Sequence, residues 1–182
     1  MVDPEAADST DRVTIEGVEF GGSPIHGRGA FAGRRFEAGD RVWTLAGRSS
    51  SIPRLAIRIA LRRCRMDDPL QVGRWRYVEL DERSVAFNHS CDPNLGVTAG
   101  SLLVARRPIG PGDELTYDYS TTVLASPFTW TWSMPCSCAS STCRGRVRRA
   151  DQLPPDVARR YLDEGSCPDH TRRAIERAAS RG

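Results

Sequence analysis

Alternating apolar and polar positions indicate β-structure along much of the chain. Residues 13–20 alternate well enough to form a strand, and residues 41–47 and 74–80 have the composition of two more. Residues 101–105 form a short apolar run typical of a buried strand. A tight turn is predicted at residues 108–113, where Pro and Gly alternate. The pattern therefore predicts a mainly β fold.

Helical periodicity is limited to a few short stretches. The strongest covers residues 51–66, where the serines at 49–51 offer N-caps and Pro53 suits the first turn. Its arginines would face mostly outward, and most basic helix faces are simply solvated. Two shorter helices are predicted at residues 154–162 and 169–179. The inward stripe of the first helix would consist of Ile52, Leu55, Ile59 and Cys64.

Composition predicts a globular protein with one core. Of the 182 residues, 39% are apolar and 27% are charged, and the net charge of +3 is too small to indicate nucleic-acid binding. Residues 1–11 are polar and acidic, unlike a signal peptide, so a disordered leader is expected over residues 1–12. Residues 52–61 are too short and too interrupted by arginine to span a membrane. We expect a cytoplasmic protein whose six cysteines are thiols or metal ligands.

Polar and aromatic side chains that could bind a ligand or take part in a reaction are concentrated in residues 86–119. An amide, an imidazole, a hydroxyl and a thiol occur in four consecutive positions before an Asp-Pro turn, which predicts a structured loop. Further on, Tyr117 and Tyr119 are two residues apart, so their rings would lie on one face of an extended segment. A polar loop beside a tyrosine-bearing segment has the outline of a site. The four loop residues are Asn88, His89, Ser90 and Cys91.

Three cysteines close together predict a metal site. Cys136, Cys138 and Cys143 lie within eight residues, a spacing suited to one zinc ion, with unmetallated thiols as the alternative. Tetrahedral zinc needs a fourth ligand, and Cys91 of the polar loop is the natural supplier. Four thiolates leave no open position, so the ion would be structural.

These motifs resemble the SET-domain methyltransferases, which transfer a methyl group from S-adenosylmethionine to a lysine amine. The loop beginning at Asn88 is similar to the family's Asn-His-Ser-Cys motif, and residues 114–119 (Glu-Leu-Thr-Tyr-Asp-Tyr) are similar to its second signature. The Gly-Arg-Gly at residues 27–29 matches the position of the family's cofactor loop, and the cysteine cluster matches its post-SET segment. The resemblance covers residues 13–147.

The resemblance also implies roles for individual residues. Tyr119 would be the catalytic tyrosine, and Tyr117 would control how many methyl groups fit, favouring mono- or dimethylation. A general-base role for His89 is the alternative to a contact with the cofactor. The cofactor contacts implied by the resemblance are Gly27, Arg28, Gly29, Asn88, His89 and Tyr119.

The fold that the resemblance implies consists of small curled sheets with short helices and a knot-like C-terminal site. The SET domain would cover residues 13–122, with residues 51–66 as an inserted helix. A linker and the post-SET zinc loop would follow at 123–150, and a helical tail at 151–182. In the family the inserted region varies and contributes to the substrate groove, which leaves an acidic or phosphate-bearing partner as an alternative to a solvated face.

One departure from the family affects the amine channel. Leu45 stands where many members have a tyrosine, and Trp43, Tyr77 or Tyr161 could replace that tyrosine. The expected partner is a protein or peptide carrying a lysine, with no membrane; nucleic acid is a possible partner that no sequence feature supports. The competing hypothesis is a non-catalytic, zinc-clipped, arginine-rich binding module for an acidic partner or nucleic acid. All 26 basic residues are arginines, which fits codon bias but also means that the chain has no lysine to methylate in itself.

Overall fold

The computed structural model describes residues 13–15, 17–61, 69–126 and 129–181. The predicted leader, residues 1–12, lies outside this part of the chain. The strands are β1 (Val13–Ile15), β2 (Val18–Gly22), β3 (Arg28–Ala32), β4 (Arg41–Thr44), β5 (Gly47–Ser51), β6 (Pro69–Gly73), β7 (Arg76–Leu80), β8 (Leu95–Val97), β9 (Leu102–Ala105), β10 (Met134–Pro135) and β11 (Arg146–Val147). The helices are α1 (Ile52–Ala60), α2 (Pro155–Asp163) and α3 (Asp169–Ala179).

The strands form four small antiparallel sheets, in the orders β1–β2–β3, β4–β9–β8, β5–β7–β6 and β10–β11. The prediction of a mainly β fold with short helices is confirmed. The division into domains and the knot-like crossing stay predictions.

The first sheet corrects one prediction. Residues 13–20 are two strands and not one, because the chain reverses and Ile15 pairs with Val18. Gly17 lies at the reversal with a φ of 82°, in the left-handed region that glycine enters without a steric penalty. Alternation along the sequence continues across such a tight turn, so the pattern alone does not reveal it.

The unit made of β5, α1, β6 and β7 differs from the prediction in three ways. Helix α1 begins at Ile52 and its described part ends at Ala60, while residues 62–68 lie outside the described chain. The serines at 49–51 belong to β5, and Ser51 makes no capping hydrogen bond through its side chain. Residues 69–73 form strand β6, which the sequence pattern did not predict.

The hydrophobic core lies between the first two sheets and the loops that follow them. Phe20 and Phe87 of the core and the partly buried Trp43 packed against it have ring centroids 5.5 to 6.3 Å apart. A second cluster around Tyr161 and Ile175 joins α2 to α3. Both helices fall within one residue of their predicted positions.

Among the described residues, no helix combines the length and the apolar character needed to cross a membrane.

Candidate active site and metal centre

A cavity of about 480 Å³ is lined by three of the residues singled out by sequence. Asn88, Tyr117 and Tyr119 line it together with Leu55 of α1 and Trp132 of the segment before β10. No Asp, Glu or Arg is among the described residues that line it. The arrangement is therefore a largely apolar and aromatic pocket with a few polar groups, which is typical of a small-molecule or side-chain site.

Backbone pairing brings the polar loop to the tyrosines. His89 forms a parallel bridge with Tyr117. The amide of Tyr117 donates to the carbonyl of Asn88 and the amide of Ser90 donates to the carbonyl of Tyr117, both at 3.2 Å. The next tyrosine, Tyr119, begins a short 3₁₀ turn that ends at Thr122. The two motifs, about 30 residues apart in sequence, thus form one wall.

The two tyrosines lie side by side in this wall. The ring centroids of Tyr117 and Tyr119 are 4.8 Å apart. The hydroxyl of Tyr119 donates to the carbonyl oxygen of Phe87 at 2.9 Å. Burial raises the pKa of Tyr117 well above its ordinary value. Tyr117 is therefore a neutral phenol at physiological pH.

The Asn88 amide fixes the predicted cofactor loop. Its Nδ2 donates to the carbonyls of His26 and Arg28, at 3.2 and 3.0 Å, and to Oε1 of Glu114 at 2.8 Å. A Cβ on Gly29 would lie 2.8 Å from the same Glu114 oxygen. Glycine is needed at 29 for this close approach to Glu114, a contact that the sequence did not indicate.

The remaining loop residues have separate positions. Gly27 has a φ of 53° and makes the turn. The Arg28 guanidinium pairs with Glu82 at the surface. In this segment it is His26 that lines the cavity. The cofactor contacts expected at residues 27–29 stay a prediction.

His89 has the surroundings of an anchor and not of a general base. Its Nδ1 accepts from the amide of Tyr119 at 3.3 Å, and its Nε2 lies 3.4 Å from Sγ of Cys91. Burial lowers the pKa of His89 to about 4, with the Asp118 carboxylate opposing this shift. Its side chain does not line the cavity. The imidazole instead joins the segment at Tyr119 to the cysteine cluster.

The four cysteines expected to bind metal are brought together. The Sγ atoms of Cys91, Cys136, Cys138 and Cys143 all lie within 4.8 Å of one another. In a tetrahedral site with Zn–S bonds of about 2.3 Å, neighbouring sulfurs are about 3.8 Å apart. Sγ of Cys91 and Sγ of Cys136 are 3.7 Å apart, so the set fits one zinc ion.

Backbone amides point at three of the four sulfurs, whereas burial raises the pKa of Cys91 and Cys136. The amides of Arg144, Cys91 and Gly145 point to Sγ of Cys91, Cys138 and Cys143 at 3.3, 3.5 and 3.4 Å. Burial raises the pKa of Cys91 to about 11. Burial would also raise that of Cys138, but hydrogen bonds from the backbone amides of Cys91 and Ser140 lower it to about 7. At least one thiol is therefore disposed to ionise near neutral pH.

Asp118, between the two tyrosines, was missed as a site residue by the sequence analysis. Its carboxylate is completely buried and accepts two hydrogen bonds from the Arg144 guanidinium, at 2.7 and 2.8 Å. The hydroxyl of Tyr161 on α2 donates to it at 2.9 Å. Although burial alone would raise the pKa of Asp118, Arg144 lowers it below its ordinary value. One carboxylate thus ties the tyrosine wall to the cysteine loop and the helical tail.

Leu45, which stands where many family members have a tyrosine, is buried in the core, away from the cavity. Of the three aromatic residues that could replace the missing tyrosine, Trp43 packs in the core and Tyr161 contacts Asp118, while Tyr77 lines the cavity. The hydroxyl of Tyr77 lies 3.4 Å from Oγ of Ser126.

Comparisons with known proteins place this geometry in a family. The SET domain family model matches residues 27–120. The histone-lysine N-methyltransferase TRX1 of Oryza sativa subsp. japonica is 33% identical over an alignment of 145 positions, which covers 70% of this chain and 13% of that protein. The human histone-lysine N-methyltransferase 2B is 30% identical over an alignment of 142 positions, which covers 67% of this chain and 5% of that protein.

A third similar protein matches a shorter region of the chain. The methyltransferase flvH of Aspergillus flavus is 33% identical over 97 residues, 50% of this chain and 51% of that protein. The chain spans about half of this relative and a small fraction of the two histone-lysine methyltransferases. The matched region includes the polar loop and both tyrosines, and this chain belongs to the SET-domain family.

Proposed function

We propose that the protein is an S-adenosylmethionine-dependent methyltransferase acting on a lysine side chain of a protein or peptide, with mono- or dimethyl product. The observation that carries the proposal is the convergence of Asn88, Tyr117 and Tyr119 on one cavity that no described Asp, Glu or Arg lines. The names of the relatives from rice and human, both histone-lysine methyltransferases, support the same reaction.

The lining of the cavity suits the chemistry of methyl transfer. A free lysine amine has a pKa near ~10.4 and is mostly charged at neutral pH. A pocket with no carboxylate to pair with the ammonium lowers that pKa and favours the neutral, nucleophilic amine. S-adenosylmethionine supplies the methyl group on a sulfonium sulfur when it is bound. The ammonium loses one proton to solvent before its nitrogen accepts the methyl group.

The tyrosines orient the amine. The hydroxyl proton of Tyr119 is directed at the carbonyl of Phe87, so its oxygen presents lone pairs that accept a hydrogen bond from the amine. Tyr117 adds a second neutral hydroxyl and one ring face to the channel. Asn88 holds the loop at residues 23–28, where the amino-acid end of the cofactor would bind by backbone contacts. These roles are positional and electrostatic, and need no charged side chain.

We further propose that Cys91, Cys136, Cys138 and Cys143 hold one structural zinc ion. Their sulfur separations fit a tetrahedral site. The ion would join the polar loop to the segment before β11 and so hold one side of the site in place.

Isothermal titration calorimetry with S-adenosylmethionine and its demethylated product tests the proposal on the zinc-loaded chain. Both should bind, because most contacts avoid the transferred methyl group. Transfer of a labelled methyl group to lysine-bearing peptides, followed by mass spectrometry, tests the reaction. The chain has no lysine, so label cannot enter a lysine of the enzyme itself. Absence of binding by both ligands would support the competing non-catalytic module instead.

A further inference from the structure

The short turn that begins at Tyr119 cannot satisfy its own last carbonyl groups. It is a 3₁₀ helix of four residues, Tyr119–Thr122, and its last three residues are buried. The carbonyls at the end of a helix have no partner inside it, and a buried carbonyl that stays unpaired is costly. The position of Tyr119 therefore depends on the groups that pair with the carbonyls of Thr121 and Thr122.

Both carbonyls are paired by side chains of the first turn of α3. Oγ1 of Thr171 donates to the carbonyl of Thr121 at 2.6 Å. Nε2 of His170 lies 3.0 Å from the carbonyl of Thr122, and because a carbonyl can only accept, this nitrogen carries the proton. Two residues of the C-terminal tail, 48 and 50 positions further along the chain, thus hold the end of the turn.

Thr171 stands at an apolar position of its helix. It lies on one stripe with Ala174, Ile175 and Ala178, at the spacing i, i+3, i+4 and i+7, and all four are buried. A hydroxyl on such a stripe costs free energy unless it is hydrogen-bonded. The carbonyl of Pro168, at the start of the same helix, is 3.1 Å from this hydroxyl, so the carbonyl of the turn is the nearer acceptor. A valine would fill the same space but could not make this bond.

The tail is attached to the same segment by two further contacts. The hydroxyl of Tyr161 on α2 donates to Asp118, just before the turn, at 2.9 Å. The amide of Ala150 donates to the carbonyl of Val123, just after the turn, at 2.9 Å. Both donors belong to the apolar cluster that joins α2 to α3. The two helices therefore form one support for residues 118–123.

We propose that Thr171 and His170 are positioning residues, which fix the turn at Tyr119 and so keep the hydroxyl of this tyrosine in place in the cavity. The inference rests on the proposed methyl transfer, in which Tyr119 orients the amine. Neither tail residue lines the cavity, so both act through the turn. A misplacement of an orienting group by about 1 Å can cost about 100-fold in rate.

Paired substitutions at Thr171 test the hydrogen bond apart from the packing. Thr171→Val keeps the shape and removes the donor, and should lower kcat at least about tenfold because the turn is displaced. The KM for a lysine peptide and the Kd of the demethylated cofactor product should change less than about threefold, because the cavity keeps its other walls. Thr171→Ser keeps the donor and should stay within about threefold of the native kcat.

His170 offers the same pair of substitutions. His170→Leu removes the donor and should lower kcat at least about fivefold, whereas His170→Gln places an amide N–H near the position of Nε2 and should retain most of the native kcat. Ile175→Val is the matched control, because it loosens the same helix but removes no hydrogen bond. Its kcat should stay within about twofold of the native value at a temperature where circular dichroism shows every variant to be folded.

Amide hydrogen exchange reads the support of the turn without turnover. The amide of Leu124, directly after the segment, donates to Oε1 of Gln71 at 2.7 Å and should exchange slowly in the native chain. Thr171→Val should speed exchange across residues 118–124 at least about fivefold more than across β3, which reports the stability of the whole chain. Ile175→Val should not produce this difference.

The two measurements separate the failure of this inference from the failure of the proposed function. Native kcat in Thr171→Val, or equal losses in Thr171→Val and Thr171→Ser, would overturn the positioning role. An equal loss in Ile175→Val would assign the effect to packing of α3 and also overturn it. Unchanged exchange at residues 118–124 in Thr171→Val would overturn it whether or not methyl transfer occurs. A native chain that binds the cofactor product but methylates no lysine peptide would count against the proposed function, and the exchange data would still decide on the support of the turn.

Discussion

The buried carboxylate of Asp118 should contribute more to stability than any exposed acidic group of the chain. It has no exposed surface and accepts from the Arg144 guanidinium, the Tyr161 hydroxyl and the amide of Ser120. Asp118→Asn keeps the size of the side chain but removes its charge. The Arg144 guanidinium, which is 14% exposed, would then be left without its counter-ion.

The expected cost follows from this burial. Removing one partner of a buried ion pair destabilises a protein by about 3–5 kcal/mol, because the other charge stays desolvated. For a chain of this size that corresponds to a Tm lower by about 6–20 °C. Asp92→Asn is the matched control, since Asp92 pairs with Arg107 where both side chains are close to half exposed. Such pairs contribute about 0–1 kcal/mol.

Urea unfolding of the zinc-loaded chain, followed by circular dichroism, measures both variants. Asp118→Asn should also release metal to a chelator faster, because the amide of Arg144 donates to Sγ of Cys91. A free-energy change within about 1 kcal/mol of the Asp92→Asn value would refute the reasoning.

The pH dependence of the same variant has a definite sign. The pKa of Asp118 is lower in the folded chain than its unfolded value of about 3.9, so its stabilising contribution is fully present above that pH. It is lost as pH falls through the folded pKa. The stability difference between the native chain and Asp118→Asn should therefore be constant from pH 7 to about 5 and shrink only below about pH 4.

Other perturbations address the metal, the product and the tail. Cys138→Ser should lose metal and activity, whereas Cys167→Ser, in the cluster between α2 and α3, should keep both. Elemental analysis measures the metal, and a methyl-transfer assay measures the activity. Tyr117→Phe removes a hydroxyl from the cavity and should raise the methylation state seen by intact-mass analysis of a fully reacted peptide. Tyr119→Phe should lower kcat on the order of 100-fold, because the amine loses its orienting oxygen. Burial lowers the pKa of His170 in the folded chain. Below about pH 6.5 the unfolded chain therefore binds a proton at this residue before the folded chain does, and the free energy of unfolding falls with pH. His170→Gln should reduce this fall, measured by urea titration, by at most about 1.4 kcal/mol per pH unit.

Each of these expectations can fail in a distinct way. Full metal occupancy in Cys138→Ser would refute the ligand set. Abundant trimethyl product from the native chain would show that Tyr117 does not limit the product. Full activity of Tyr119→Phe would remove that hydroxyl from the mechanism. An unchanged pH slope in His170→Gln would show that His170, whose Nε2 lies 3.0 Å from the carbonyl of Thr122, is not the group that takes up the proton.

Short-range patterns in the sequence were sufficient to predict the fold class, and the family resemblance named part of the candidate site. Apolar alternation predicted the mainly β fold, and the three clustered cysteines predicted the metal loop because their spacing is local. The resemblance named Asn88, Tyr117 and Tyr119, and the structure brings them to one cavity. The boundaries of the strands were less well predicted. The hairpin at Gly17 was predicted as one strand, because the alternation of apolar and polar residues continues across the turn.

Contacts between distant segments were decided by the tertiary structure alone. Nothing in the sequence near Asp118 indicates that Tyr161, 43 residues later, donates to its carboxylate. The need for glycine at 29 depends on the Glu114 carboxylate, 85 positions further along the chain. Leu45 occupies a family site position but is buried in the core, and Tyr77 reaches the cavity from another sheet. Sequence patterns report the periodicity of one segment, whereas desolvation, ion pairing and cavity lining depend on which segments pack together.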